Sequence, residues 1–545
     1  MKKLNKLLLV TMFFVGVTSC KKTIEKENRN VDAKTVSSTT FTEEEIGHGV
    51  VQIPQAVSPI LISSLRTNPY TVATMSTAFG NLVTSGTLQA QDFDIRATHK
   101  YVRFLPANED EYNILIDEEL ELYGVPFEAV IDEQAGGDYY VDETLPTGQT
   151  YTWQYTYVPA SYTPPTGIQY EILDDLYLPD QDPYNLLNGE LDPAKEDIVY
   201  LLDEEALRIT GNLELGEEKP GRSQARPSKW NPSGTIRLWD TRFNQLQNLE
   251  GLKIRVRRWY TIKTTFTDAN GFFWISHQFR RPVNYSAVFE RHDFDIRNGE
   301  FGQAYIDGPY RKGAWDNDLW GGHHYYWATI FTGIKDYYYG HGQFGLNAPP
   351  PKTWSRPKLK VAAMNKTNQN ALGSIVVAVR TFGIFGIIRI YLPGNNSDRI
   401  YATTIHEVGH YSHWAQNPYF YRQCEDRVSE SWGEGIEWVF TSSRYGAWGD
   451  DLQNGPDFVD AYQHRTMAQF PEYTSIVVDL MDNHNQRVVL STPVVPNDGV
   501  DGYTIEQIED AMNSSVLTFN DWRDRLRDNY NNPTENNLNA LFGSW

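Results

Sequence analysis

The sequence predicts a multidomain α+β protein: an N-terminal mixed α/β domain, a central β-sandwich, and a C-terminal, mostly helical domain with a small sheet. Three observations carry this. At 545 residues the chain exceeds what one hydrophobic core usually serves. Leu252, Ile254 and Val256 alternate with Lys253, Arg255 and Arg257, the period-two pattern of a half-buried strand. From about residue 300 the pattern turns helical, with short extended runs between. Apolar residues make up 40% of the chain, enough for large cores. The net charge of −22 argues against a nucleic-acid partner, which would need clustered Lys and Arg. Aromatics reach 13%, a richness common in extracellular and carbohydrate-handling proteins.

The N-terminus reads as a processing segment. Lys2, Lys3 and Lys6 precede an apolar run from Leu7 to Val17 that is too short to span a bilayer. The run ends in Val17-Thr18-Ser19-Cys20, which resembles a bacterial lipobox. That resemblance implies that residues 1–20 are a lipoprotein signal peptide, that Cys20 receives lipid, and that Lys21 directs the protein to the outer membrane or cell surface. Cys424 is then the remaining thiol, so no intramolecular disulfide is expected, and a small, packed side chain is the expectation there. Residues 21–45 are charged and rich in Ser and Thr, a flexible tether. No later stretch is apolar enough for a transmembrane helix.

Residues 46–218 form the mixed domain. Ile198 to Gly211 reads as one amphipathic helix closed by glycine, and the Pro-rich Val158 to Thr166 as extended or loop. No catalytic constellation lies here, so a partner-binding or spacer role is expected. Residues 219–234 look like a linker. Strand signals begin at Thr235–Trp239, and Asp268-Ala269-Asn270-Gly271 marks a turn before Phe272 and Phe273. A calcium loop is a poor fit there, because too few carboxylates follow. The pattern GLKIRVRRW…TDANGFF resembles carboxypeptidase regulatory-like β-sandwich domains, which implies such a domain over 235–297.

The third domain spans 300–545. His323 and His324 are adjacent, so they face different ways and make poor joint ligands; a structural role is expected, ahead of an aromatic segment from Tyr325 to Tyr339. Extended segments follow at Leu359–Met364, Ser374–Arg380 and Gly386–Leu392, the last broken by Pro393-Gly394-Asn395-Asn396. Asn396 or Ser397 can cap the next helix. That helix carries His406-Glu407-Val408-Gly409-His410, an HExxH match. Residues four apart share one helical face, so two imidazoles can hold one Zn²⁺ while Glu407 serves as the base toward the attacking water. Gly386–Leu392 is either the cleft-edge strand, able to pair with an extended peptide, or an ordinary core strand.

A catalytic zinc needs a third protein ligand. The HExxHxxGxxH continuation fails, because His413 stands at the Gly position and Gln416 at the third His. Downstream, Trp432-Gly433-Glu434-Gly435-Ile436-Glu437-Trp438 resembles the NEGxAxx segment of gluzincin metallopeptidases, although Gly433 replaces Asn and Glu437 the small residue. The resemblance implies a zincin-like catalytic domain binding one Zn²⁺ through His406, His410 and Glu434. Gly433 and Gly435 fit a close helix approach there. Glu430, one turn earlier, is the rival ligand, or the group that orients a ligand His. His413 sits beside the ligands or is merely packed. The donor that stabilises the oxyanion stays open among Tyr473, Tyr503, His464 and His484. The expected activity is lipid-anchored zinc metallopeptidase action on a peptide or protein substrate. The rival is a non-enzymatic surface lipoprotein with a degenerate zincin-like domain, and a zinc hydrolase acting on glycan-linked or cell-wall peptides is a third reading.

Overall fold

The computed structural model describes residues 62–131, 142, 144–146, 151–213, 226–299, 302–353, 358–368, 373–380, 383–445, 465–468, 470–513 and 515–545. The expected signal peptide with Cys20, the expected tether, the start of the mixed domain, the first part of the expected linker and His464 lie outside the described residues. The chain is a multidomain α+β protein. Among the described residues no helix is long and apolar enough to cross a membrane.

The N-terminal unit comprises β1 (Ile62–Leu65), α1 (Val72–Thr84), β2 (His99–Leu105), α2 (Glu109–Asp117), β3 (Ala129–Ile131), β4 (Gln154–Pro159), β5 (Gln169–Leu176), β6 (Leu186–Leu187), β7 (Glu190–Leu191) and α3 (Glu196–Ile209). Its main sheet, ordered β4-β2-β5, is antiparallel. The expected amphipathic helix is α3, which buries Val199, Leu202, Ala206 and Leu207, and Gly211 follows it at φ 71° as a left-handed stop.

The sandwich comprises β8 (Ser233–Asp240), β9 (Gln245–Asn248), β10 (Lys253–Arg258), β11 (Thr261–Phe266), β12 (Phe272–Trp274), β13 (Val283–Val288), β16 (Tyr305–Arg311) and β17 (Asn317–Leu319), with β14 (Phe294–Asn298) and β15 (Gly302–Gln303) between β13 and β16 in the chain. One sheet runs β11-β10-β13-β16 and the other β12-β8-β17, with β9 on β8. Phe273 on one sheet and Tyr285 on the other bring their ring centroids within 6.1 Å, so the sheets pack face to face. The Asp268 turn forms as the sequence implies, with the Asp268 carboxylate accepting the N–H groups of Asn270 and Phe272.

Two details depart from the sequence reading. The sandwich runs to residue 319 rather than 297, and β14 and β15 leave it to join the next sheet. Strand β10 is also not half-buried. Arg255 and Arg257 are as covered as Ile254 and Val256, because the N-terminal domain lies over them. The Arg255 guanidinium stacks 4.1 Å from the Tyr123 ring centroid, and that of Arg257 lies 4.5 Å from Phe127. The β10–β11 hairpin drives the docking. Its tip residues, Trp259 and Tyr260, belong to the N-terminal core with Tyr101, Phe127 and Leu202. Trp259 takes φ 50°, a strained value for a bulky residue, offset by almost complete burial of its ring.

The C-terminal unit holds α4 (Gly322–Gly340), β18 (Leu359–Ala363), β19 (Gly373–Arg380), β20 (Gly383–Ile390), α5 (Ser397–Gln416), α6 (Pro418–Tyr421), α7 (Asp426–Tyr445), α8 (Ile476–Met481), α9 (Gln486–Leu490), α10 (Ile505–Asn513), α11 (Phe519–Asn529) and α12 (Leu538–Ser544). Its sheet is ordered β15-β14-β18-β20-β19, so the edge near the HExxH helix is β19. The segment Gly386–Leu392 lies largely in β20, paired on both sides, and is the core strand of the two alternatives. Strand β14 sends Phe294 and Ile296 into the core shared with α4, while Asp295 and Arg297 face α2, where Arg297 lies 4.6 Å over the Tyr112 ring. Helix α5 starts at Asn396, whose side chain makes no cap. Ser397 instead donates to Asp240 Oδ1 at 2.7 Å and ties the helix to β8.

Candidate metal centre

Helix α5 is buried from Ile400 to Trp414, with α4 on one side and α7 on another. His406, Glu407 and His410 have no exposed surface. Their four-residue spacing stacks the two imidazoles, and His406 Nε2 and His410 Nε2 lie 2.9 Å apart. Helix α7 crosses this face. Glu430 Oε2 sits 3.4 Å from each of the two Nε2 atoms. In a tetrahedral site with Zn–N near 2.0–2.1 Å, ligand atoms stand about 3.3 Å apart. In the triangle of His406, His410 and Glu430 the two edges to Glu430 are of that size and the edge between the imidazoles is shorter, and its two-nitrogen, one-oxygen donor set suits a divalent cation.

Glu434 stands on the other side of the His406 ring, where its carboxylate, that of Glu437 and His406 Nδ1 form a second group with the spacing of metal ligands. Its Oε2 accepts from Arg465 at 2.6 Å, and its Oε1 lies 3.7 Å from His406 Nδ1, the nitrogen on the far side of the ring. Glu437 Oε2 is closer to that nitrogen, at 3.0 Å. The reason is helical geometry. A Cβ on Gly433 would meet His406 Nε2 and His410 Nε2, each at 2.9 Å, so Gly433 marks the face of α7 that touches the imidazoles. Residues three back and four on share that face, and these are Glu430 and Glu437. The close approach expected of the glycine pair is present, and it places Glu430 rather than its neighbour Glu434 on the Nε2 side. Gly435 serves a different contact, since a Cβ there would come within 2.4 Å of Val477.

Charge supports a cation. Glu407, Glu430, Glu434 and Glu437 are all buried, and Arg465 supplies one positive charge among them. Carboxylates so enclosed need a positive partner, and a divalent cation would supply one beyond Arg465. Burial holds the His410 imidazole below its ordinary pKa, against the pull of Glu430. Burial pushes the Glu430 carboxyl up, but the two imidazoles outweigh it and hold it below the ordinary range.

The other candidates separate clearly. Glu407 packs against the start of the sheet edge, where a Cβ on Gly373 would lie 2.5 Å from its Oε1. His413 meets Tyr421 edge-on at 4.9 Å, and burial pushes its pKa down to about 3, as for a packed neutral ring. Gln416 bonds Glu509, away from the imidazoles. Tyr473 reaches the cluster through its backbone carbonyl, which accepts from Arg465 at 2.6 Å. Tyr503 is buried in the core and His484 is half-buried near Asp482. His323 and His324 both pack on Trp327, as structural residues do. Cys424 is half-buried with its thiol pushed up to about 11 by burial, an inert state. Glu437 and Arg465 are the residues sequence reasoning missed. The spacing of Glu437 from Glu430 and Gly433 was readable as one helical face, whereas nothing in the letters pointed to Arg465.

No family model matches the chain, and no curated protein matches it. Among solved structures, a 9R-lipoxygenase from Cyanothece aligns with 47% of this chain and 58% of that one, at 10% identity and a TM-score of 0.12. A likeness so low carries no argument.

Proposed function

We propose that the protein is a zinc-dependent peptide hydrolase whose metal is held by His406, His410 and Glu430. The observation that carries this reading is the triangular arrangement of those three ligand atoms, with Glu407 on the same helix beside the first ligand. Zinc bound there would supply Lewis acidity, lowering the pKa of a water and polarising a carbonyl. Glu407 takes the proton from the attacking water. Glu437 orients His406 through Nδ1, and Arg465 holds Glu434 beside it. The edge strand β19 begins at Gly373 against Glu407, so an extended peptide added to that edge would run past the base.

Metal analysis with peptide-hydrolysis assays tests the proposal. Purified protein should hold one zinc per chain, and a chelator should abolish hydrolysis. Glu407→Gln should keep the metal and lose activity by at least about a hundredfold. Glu430→Gln should lose the metal, while Glu434→Gln should retain it. Full activity in Glu407→Gln would sink the mechanism, and tight zinc in Glu430→Gln would sink the ligand assignment. The non-enzymatic reading draws on one observation, the complete burial of His406, Glu407 and His410. It predicts no hydrolysis of any peptide, and protein that purifies without zinc and takes none up would favour it.

The setting we propose is the cell surface, with the chain held by lipid on Cys20. The supporting feature is the basic, apolar, Cys-terminated leader. Labelled palmitate should enter the protein and fail to enter Cys20→Ser; labelling of that variant would refute the anchor.

A further inference from the structure

Helix α7 is tied to its surroundings at two places. The first is the close approach at Gly433. The second is at Arg444, about three turns further on. Glu430, Glu437 and Arg444 follow one another at seven-residue intervals, so Arg444 falls on the stripe of α7 that faces the imidazoles.

There the guanidinium is held from three sides. Nη2 lies 3.4 Å from Asp240 Oδ2 at the end of β8, and Nη1 lies 3.3 Å from Asp336 Oδ2 on α4. Its central carbon stands 5.1 Å from the ring centroid of Tyr401 on α5. Tyr401 donates to Asp336 Oδ2 at 3.2 Å, and Tyr445 donates to Asp240 Oδ2 at 3.2 Å. Asp240 also has a second arm. Its Oδ1 accepts from Ser397 Oγ at 2.7 Å, and the Ser397 N–H donates to Thr241 Oγ1 at 2.8 Å. Asp240 and Ser397 are both buried. One carboxylate of the sandwich thus reaches the start of the helix that carries His406 and His410 and the end of the helix that carries Glu430. The charges suit the helix ends, with a carboxylate at the start of α5 and a guanidinium in the last turn of α7.

Rotation of α7 is what this clasp controls. Glu430 and Glu434 lie only about 40° apart around the helix. A roll of about 10° moves atoms at the outer helix radius of about 5–6 Å by about 1 Å. Metal–ligand distances tolerate only about 0.2 Å. We infer that Arg444 is a positioning residue for the metal site: clasped by Asp240, Asp336 and Tyr401, it locks the rotation of α7 so that Glu430 meets the two imidazoles. Through Asp240 the sandwich then sets metal affinity, although it supplies no ligand. The inference rests on the assignment of His406, His410 and Glu430 as the ligands.

The experiment measures zinc affinity of the full chain by chelator competition, with the visible absorption of the cobalt-substituted protein as a report of ligand geometry. Arg444→Met and Asp240→Asn should each weaken zinc by about tenfold and shift the cobalt bands. Combined, they should cost little more than Arg444→Met alone, because both break one contact. Arg444→Lys keeps a charge between the two carboxylates and should recover part of the loss. Glu204→Gln breaks the buried pair with Arg281, away from the metal helices, and should lower stability while leaving zinc affinity and the cobalt spectrum unchanged. If Arg444→Met does not fold, Asp240→Asn carries the test. Zinc affinity within about twofold of the parent in both variants, unshifted cobalt bands, or strictly additive losses would overturn the inference and leave the ligand assignment standing. An equal loss of zinc affinity in Glu204→Gln would overturn it as well, by tracing the effect to stability. A parent that takes up no metal overturns the assignment and the inference together.

Discussion

Replacing Gly433 with alanine places a methyl group 2.8 Å from His406 Cε1 and 2.9 Å from the Nε2 atoms of His406 and His410. Carbon contacts settle near 3.5–4.0 Å, so the rings or the helix must give by about 0.6–1 Å. Helix α7 has little room to slide, because Gly435 is already seated against Val477. Metal–ligand distances tolerate only about 0.2 Å. We therefore expect zinc to bind about 10–100-fold more weakly, or about 1.4–2.7 kcal/mol, the range seen when groups that orient metal ligands are lost. The metal-free protein should respond far less. Overpacking costs about 1–3 kcal/mol, but alanine returns about 1 kcal/mol of helix propensity. Zinc competition against a chromophoric chelator, paired with denaturation of the metal-free protein, separates the two effects. Gly543→Ala, where a Cβ meets nothing within 4 Å, is the control and should leave zinc affinity unchanged. Zinc bound by Gly433→Ala within about threefold of the parent would refute the reasoning.

Glu434→Ala strands the Arg465 guanidinium, whose side chain is 7% exposed, and should destabilise the fold by about 3 kcal/mol in urea titrations. Glu434→Gln combined with Arg465→Met should recover most of that loss, and a double variant as weak as the single one would count against the pair. Gly435→Ala should cost about 1–3 kcal/mol through its clash with Val477, and Val477→Ala in the same chain should relieve it; strictly additive losses would show that the two do not touch. Asp498 and Asp479 are buried carboxyls, both pushed up by burial, and Asp498 further by Asp479, Asp482 and Asp501. With folded pKa values above the unfolded ones, their stabilisation is full below the ordinary carboxylate range and is lost as pH rises through neutrality. Asp498→Asn should therefore raise the melting temperature at pH 8 and change little at pH 4. A lower melting temperature at pH 8 would contradict this.

Period and punctuation made much of this chain legible. The alternation at 252–257, the Asp268 turn, the helix closed by Gly211 and the HExxH helix all stand where local pattern put them. The failures share a cause, since each depends on distant chain. Arg255 and Arg257 look solvent-facing in sequence, and only the Tyr123–Phe127 segment, more than a hundred residues earlier, buries them. Glu430 and Glu434 both lie one turn from plausible ligand positions, and the choice rests on how α7 is rotated against α5. The glycines signalled a close approach but not which side of the helix made it. Arg465 entered through a loop contact that no periodicity encodes.

Strands β14 and β15 lie in sequence between two sandwich strands, yet they hydrogen-bond within the sheet that abuts the HExxH helix. The two bodies are therefore stitched together, with the thread leaving one and returning to it. A cut between residues 289 and 304 tears a strand from one side or orphans it on the other. The sandwich cannot be excised, transplanted or lost in descent as a cassette, unlike a module strung on by a linker. Any relative that dispensed with it would have to rebuild the inner sheet as well.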